Sequence, residues 1–206
     1  MFIAELLMLT LRSSPASPFG RKVKIAAAWL GLADRITIVQ ADTTDPSDSL
    51  RQQNPLGKIP ALILEDGTVL YDSRVIIEYL DHLAGGGGVI PADPAHRYPA
   101  LVMQALADGV MDAALLQVYE LRWRAEEHRS ARWLAYHADK VDRGLAALET
   151  ADLSGRRHVG HIATACALGY LDLRFGSQWR DTHPRLTAWL SAFAEDPAFQ
   201  QTRPQR

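Results

Sequence analysis

Two serines and two prolines stand where a short apolar run gives way to a helical pattern, in Ser14-Pro15-Ala16-Ser17-Pro18-Phe19-Gly20-Arg21-Lys22-Val23. A helix start presents unpaired N–H groups and a partial positive charge, and proline suits its first position because it lacks an N–H. A hydroxyl at such a place has two uses. Ser17 can cap the helix with Pro18 at N1, or a serine can help hold an anion against the helix end. The segment taken alone is compatible with both.

Two further segments change the reading. Asn54-Pro55-Leu56-Gly57-Lys58-Ile59-Pro60-Ala61-Leu62 is followed by Leu70-Tyr71-Asp72-Ser73-Arg74-Val75-Ile76-Ile77-Glu78-Tyr79-Leu80. Each piece singly is undiagnostic, but as a set, in this order and spacing, the three resemble the glutathione S-transferases. The likeness runs through the first eighty or so residues and continues more faintly almost to the C-terminus. It implies a thioredoxin-like α/β domain (βαβαββα) followed by an all-helical domain.

The resemblance also assigns chemistry. The thiol of glutathione must ionise to attack an electrophile, and a free thiol has a pKa of about 8.5, so a minor fraction is nucleophilic at neutrality. A serine hydroxyl donating a hydrogen bond to sulfur at a helix N-terminus favours the thiolate without being consumed. Counted back from Arg21-Lys22-Val23-Lys24, Ser17 matches the active serine of the serine-type members, and Ser14 is the alternative. Ile59-Pro60 resembles the family's cis-proline step, whose preceding residue pairs its backbone with the cysteinyl part of glutathione like an added strand. Read without the family, the same pair is a trans proline starting an edge strand. Asp72 and Ser73 either cap a helix or hold the γ-glutamyl end, Ser73 its carboxylate and Asp72 its ammonium. Lys58 either contacts the glycyl carboxylate or is solvated. Phe19 completes the glutathione-binding set.

On the same resemblance the electrophile pocket is expected between the two domains, with Met103, Ala107 and Met111 on its helical side. Apolar residues of that kind name no substrate. The implied activity is transfer of alkyl or aryl groups to the glutathione thiol, a detoxifying conjugation with glutathione as co-substrate, or else use of glutathione as a cofactor in an isomerisation or dehalogenation. A maleylacetoacetate-type isomerase fits less well, because Ser-Pro-Phe replaces the Ser-Ser-Cys pattern. The alternative is a non-catalytic binding or regulatory module on the same fold, and retention of Ser17, Ile59-Pro60 and Asp72-Ser73 favours the enzyme. A homodimer is implied by resemblance alone.

Composition sets limits. The 206 residues, 48% hydrophobic and 22% charged, are enough for one large domain or two small ones. A formal net charge of −2 with scattered basic residues argues against a nucleic-acid footprint. Cys166 is the single cysteine, which excludes an internal disulfide, a Cys-x-x-Cys redox pair and a cysteine zinc cluster, and fits a reducing cytoplasm. The sulfur chemistry must then come from the ligand. The opening residues carry Glu5 and lack the basic region of a signal peptide, and Met8 matches the usual family start better than Met1. No run approaches the roughly 20 continuous apolar residues of a membrane span.

The elements that must position these residues follow from pattern. Residues 6–11 form an apolar strand, 18–30 a helix ended by Gly31, 35–40 a β-branched strand, and 42–53 a polar stretch with at most a short helix. Strands 61–64 and 68–71 flank Glu65-Asp66-Gly67, a hairpin signal. Helix 73–83 closes a first domain at residues 1–84. Gly85-Gly86-Gly87-Gly88 lacks the Lys-Ser/Thr of a phosphate loop and reads as part of a linker, 85–94.

Residues 95–206 then read as helical, with helices 98–122, 130–149, 162–174 and 184–194 and an irregular tail after Pro197. Residues 162–174 are apolar nearly all round, the pattern of a central buried helix. Its expected capping box falls on His161 and Thr164, poorer partners than the family's Ser/Thr and Asp. His158 and His161 lack a third ligand, so capping or surface roles are expected and no metal. Trp29, Trp133 and Trp189 are expected in the core, and Cys166 as a small buried residue.

Overall fold

Four short strands order as β2-β1-β3-β4, with β1 at Leu9–Ser13, β2 at Ile36–Gln40, β3 at Ala61–Ile63 and β4 at Val69–Leu70. This computed structural model describes residues 8–204, so the first two residues of the expected opening strand, and the choice between Met1 and Met8, lie outside the described residues. Within them, β1 reaches Ser13 rather than ending at Leu11, because its pairing with β2 continues to Ser13 opposite Gln40. β1 pairs β2 in parallel and β3 antiparallel, and β3 pairs β4 antiparallel across the Asp-Gly turn.

Helices α1 (Pro18–Trp29), α2 (Leu50–Gln53) and α3 (Ser73–Leu83) complete the first unit. α1 packs against α3, and both bury apolar stripes. Val23, Ile25, Ile76, Ile77 and Leu80 join Leu9, Leu11 and Leu62 of the sheet in a core sealed from solvent. The sheet is thioredoxin-like in order and mixed in direction, as expected.

By its contacts the chain divides into one unit running to Ala92, joined by the residues from Gln201 onward, and a second, Asp93–Gln200. The glycine run is not loose. Gly85, Gly86 and Gly87 take φ of 100°, 79° and 74°, in the left-handed region that disfavours side chains. At Gly88 a Cβ would lie 2.5 Å from a Leu30 methyl. The buried Asp81 carboxylate of α3 gathers the segment, accepting from the N–H groups of Gly87 at 2.9 Å, Val89 at 2.6 Å and Ile90 at 3.2 Å.

The second unit is helical, with α4 at Pro94–Trp123, α5 at Ala131–Thr150, α6 at Val159–Phe175, α7 at Pro184–Phe193 and α8 at Pro197–Gln201. α4 begins earlier than its apolar periodicity suggests, because Asp93 caps it by accepting from Ala95 N–H at 3.1 Å and Pro94 takes N1. By length and composition this helix would reach across a bilayer, yet it packs against α5 and α6. α8 occupies part of the expected irregular tail, where Asp196 accepts from the Ala198 and Phe199 N–H groups and Pro197 stands at the helix start. Trp133 is 41% exposed, contrary to its expected core place, because it lies on the outward face of α5 against Tyr136. Cys166 is buried.

α6 is the buried central helix, but its start differs from expectation. Its cap is His158, with His161 three residues on, so the box sits one turn before His161–Thr164. Thr164 instead turns its hydroxyl back to the Gly160 carbonyl at 2.9 Å.

Candidate functional site

The strand register decides what meets what. Arg12 of β1 stands opposite Ala61 of β3, so one step on Ser13 is level with Pro60. Leu62 of β3 stands opposite Leu70 of β4, which puts Asp72 level with Pro60 by the same count. The segments 13–17, 59–60 and 72–73 therefore leave one end of the sheet together. Ser14, the alternative serine, lies half-buried in the same turn as Ser17, and its carbonyl accepts from Ser17 N–H at 3.2 Å.

Ser17 is the N-cap of α1 in extended conformation, and its Oγ accepts from Gly20 N–H at 3.0 Å. A hydroxyl has two acceptor lone pairs and one hydrogen, so capping leaves the hydrogen to be donated. The two readings of this serine are thus compatible. Ser17 is buried, and no carboxylate lies in the first turn to neutralise the helix end. The turn is also tight. A Cβ at Gly20 would lie 2.1 Å from Ser13 Oγ and 3.4 Å from Ser17 Cβ, so glycine lets α1 start directly against the end of β1. Phe19, on the same turn, is half-buried with the Lys22 ammonium 5.9 Å from its ring centroid.

Beside it, the Asn54–Pro60 loop is held from within. The buried Asn54 donates from Nδ2 to the Lys58 carbonyl at 2.8 Å and accepts at Oδ1 from Leu56 N–H at 3.0 Å. Gly57 N–H closes the turn on the Asn54 carbonyl at 2.8 Å. Lys58 is exposed. The Ile59–Pro60 bond is cis. Ile59 packs its side chain against Ala41, Leu50 and Ala61, leaving its backbone as the part able to meet a ligand.

Asp72 caps α3, its Oδ1 accepting from Arg74 N–H at 2.9 Å, and it is exposed, so Oδ2 stays available to a cation. Ser73 is buried in the first turn. Helix starts at Ser17 and at Asp72 thus bring unpaired N–H groups to the same end of the sheet, a setting for two anionic groups.

Residues the motifs did not single out support this end. Arg12, 6% exposed, donates from Nη1 to Ser49 Oγ at 2.8 Å and Gln53 Oε1 at 2.7 Å, and from Nη2 to Asp48 Oδ1 at 2.6 Å. This ties the polar stretch 42–53 onto β1 beside the site. Backbone N–H groups of Asp42 and Leu50, followed by Arg12, hold the Asp48 carboxyl below the usual carboxylate range. A charged residue inside β1, between Leu11 and Ser13, is the one sequence signal that could have found this network.

The remaining expected residues lie in the helical unit. Met103, Ala107 and Met111 follow one another at four-residue spacing on α4, the last two buried and Met103 half-buried. A Cβ at Gly160 of α6 would lie 2.8 Å from the Met103 Cβ, so the missing side chain admits Met103 to the α4–α6 seam. Among the described residues no three of His, Cys, Asp and Glu gather as a metal ion would require.

The chain is similar to known proteins along nearly all of its length. Residues 16–83 match the model of the glutathione S-transferase N-terminal domain. The chain is 31% identical over 202 residues to the uncharacterised GST-like protein YibF of Escherichia coli, covering 95% of this chain and 98% of that one. Among solved structures, a glutathione transferase family member from Pseudomonas fluorescens with bound glutathione is 44% identical, with a TM-score of 0.91 over 96% of this chain and 100% of that one. A glutathione S-transferase from Methylobacterium radiotolerans in complex with glutathione sulfonate is 33% identical, with a TM-score of 0.89 over 97% of this chain and 96% of that one.

Proposed function

Because this chain belongs to the glutathione S-transferase family, we propose that it binds glutathione at the sheet end described above and uses Ser17 to present it as a thiolate to a small apolar electrophile. The observation that carries the reading is the Ser17 hydroxyl, capped onto Gly20 N–H with its own hydrogen to give, at the sheet end that the 59–60 and 72–73 segments share.

In this reading Ser73 and the amides of the α3 start hold the γ-glutamyl carboxylate, and the free Oδ2 of Asp72 holds the ammonium. The Ile59 backbone pairs with the cysteinyl unit, Phe19 and Pro60 flank it, and Lys58 reaches the glycyl carboxylate. The thiol proton leaves to solvent. The sulfur electron pair then forms the bond to the electrophilic carbon while the leaving group departs with its own pair. Ser17 lowers the barrier by stabilising the thiolate at the start of that step.

Asp72→Ala tests the binding half. Loss of a hydrogen bond to a charged group is worth about 1.5 to 3 kcal/mol, or roughly ten- to a hundredfold in the glutathione dissociation constant. Calorimetry showing unchanged affinity in that variant refutes the assignment. The protein is further expected to pair as a homodimer. A monomeric mass in light scattering at micromolar concentration contradicts this.

A further inference from the structure

The first turn of α6 is closed by two imidazoles. His158 Nδ1 accepts from Gly160 N–H at 3.1 Å, and His161 Nδ1 accepts from the His158 N–H, also at 3.1 Å. This is a reciprocal capping box in which histidines stand where a hydroxyl and a carboxylate or amide usually do. Each acceptor is an Nδ1 lone pair, so both rings carry their proton on Nε2 and both are neutral. A second proton on either ring turns its Nδ1 into a donor facing a backbone donor, and that bond is lost.

We propose that the His158–His161 pair is an acid-sensitive lock on the helical unit, closed while both rings are neutral and opened by their protonation. The lock sits at a consequential place. Residues from Val159 to Leu168 are buried along the central helix, so first-turn amides released there have little water to turn to.

The surroundings oppose charge on these rings. Their centroids lie 4.0 Å apart, so each resists protonation of the other. Trp189 of α7 stacks on His161 with centroids 6.0 Å apart, and α4 meets the turn with the uncharged Ala100 and Met103. In the preceding loop Arg157 disfavours a charged His161, whereas Asp152 and the Leu153 carbonyl favour it. Arg157 is itself paired with Asp196, at 2.5 Å, and lies over Phe193. Burial prevails, holding His161 down to about 4 and lowering His158 as well.

The sign follows from linkage. An unfolded histidine takes up its proton near 6.5. Between that value and about 4 the opened state therefore binds more protons than the closed one, and stability falls as pH falls through this window. Above about 6.5 the contribution is fully present.

The test uses the full-length protein and compares wild type with His158→Ser/His161→Gln, a capping box that does not titrate. Hydrogen exchange at the amides of residues 158 and 160, corrected for intrinsic rates, is measured at pH 7.5 and pH 4.5. Wild-type protection is expected to fall on the order of fiftyfold further than that of the variant, from His161 alone. Equal losses in both proteins overturn the proposal. Should the variant not fold, proton NMR titration of the wild-type imidazoles decides. A His161 midpoint at least one unit below 6.5 supports the lock, and a higher one overturns it.

Discussion

Ser17→Ala is expected to leave glutathione affinity nearly intact while raising the pKa of the bound thiol by roughly one to two units and lowering turnover near neutrality about ten- to a hundredfold. The affinity survives because the contacts to the carboxylates, ammonium and backbone come from other residues. The thiolate suffers because one charge-directed hydrogen bond is worth about 1.5 to 3 kcal/mol. Ser17 also caps α1, so alanine removes about 1 kcal/mol of helix stability besides. Glycine separates the two effects, since it caps almost as well as serine but has no hydroxyl. Ser17→Gly should therefore match Ser17→Ala in thiol pKa and surpass it in stability. Ultraviolet titration of thiolate absorbance in the glutathione complex reads the pKa. A shift in Ser14→Ala with none in Ser17→Ala identifies the other serine, and no shift in any variant assigns activation to the backbone N–H groups at the helix start.

Arg12→Ala is expected to cost about 2 to 4 kcal/mol of stability, the largest loss of any single polar truncation near the site. The guanidinium reaches Ser49, Gln53 and Asp48 through separate nitrogens from a buried position. Its removal leaves those partners facing a void, and the 42–53 stretch loses its tether to β1. Lysine is a point charge without the fork, so Arg12→Lys should recover less than half of the loss. Asp48→Asn should cost less than Arg12→Ala, because its one amide oxygen can still accept from Leu50 N–H and from Arg12, and only the Asp42 N–H loses its acceptor. Urea denaturation of the three variants gives the order, and a loss below about 1 kcal/mol in Arg12→Ala shows that the network holds little.

Much of this molecule is legible from short stretches of chain. Pro18, Gly31, the Asp66-Gly67 turn and the Asp72-Ser73 start each act within a few residues, and α1, α3 and the β3–β4 hairpin lie where those signals put them. Periodicity likewise located α5 and α7. At α6 the same local logic set the box one turn late, on His161 and Thr164, although capping was among the roles expected of His158 and His161. It failed at Trp133 too, since a helical stripe does not say which face of α5 is covered.

The candidate site divides in the same way. Its residue types and order along the chain were readable, because a capping hydroxyl, a proline step and an acidic cap are properties of adjacent residues. That they converge was decided by strand register, which pairs Arg12 with Ala61 and Leu62 with Leu70 across long separations in sequence. The supports of Arg12 and Asn54 were decided by burial as well. A polar group removed from water must find its partners wherever the fold brings them, and only the assembled tertiary structure sets which groups are removed and what faces them.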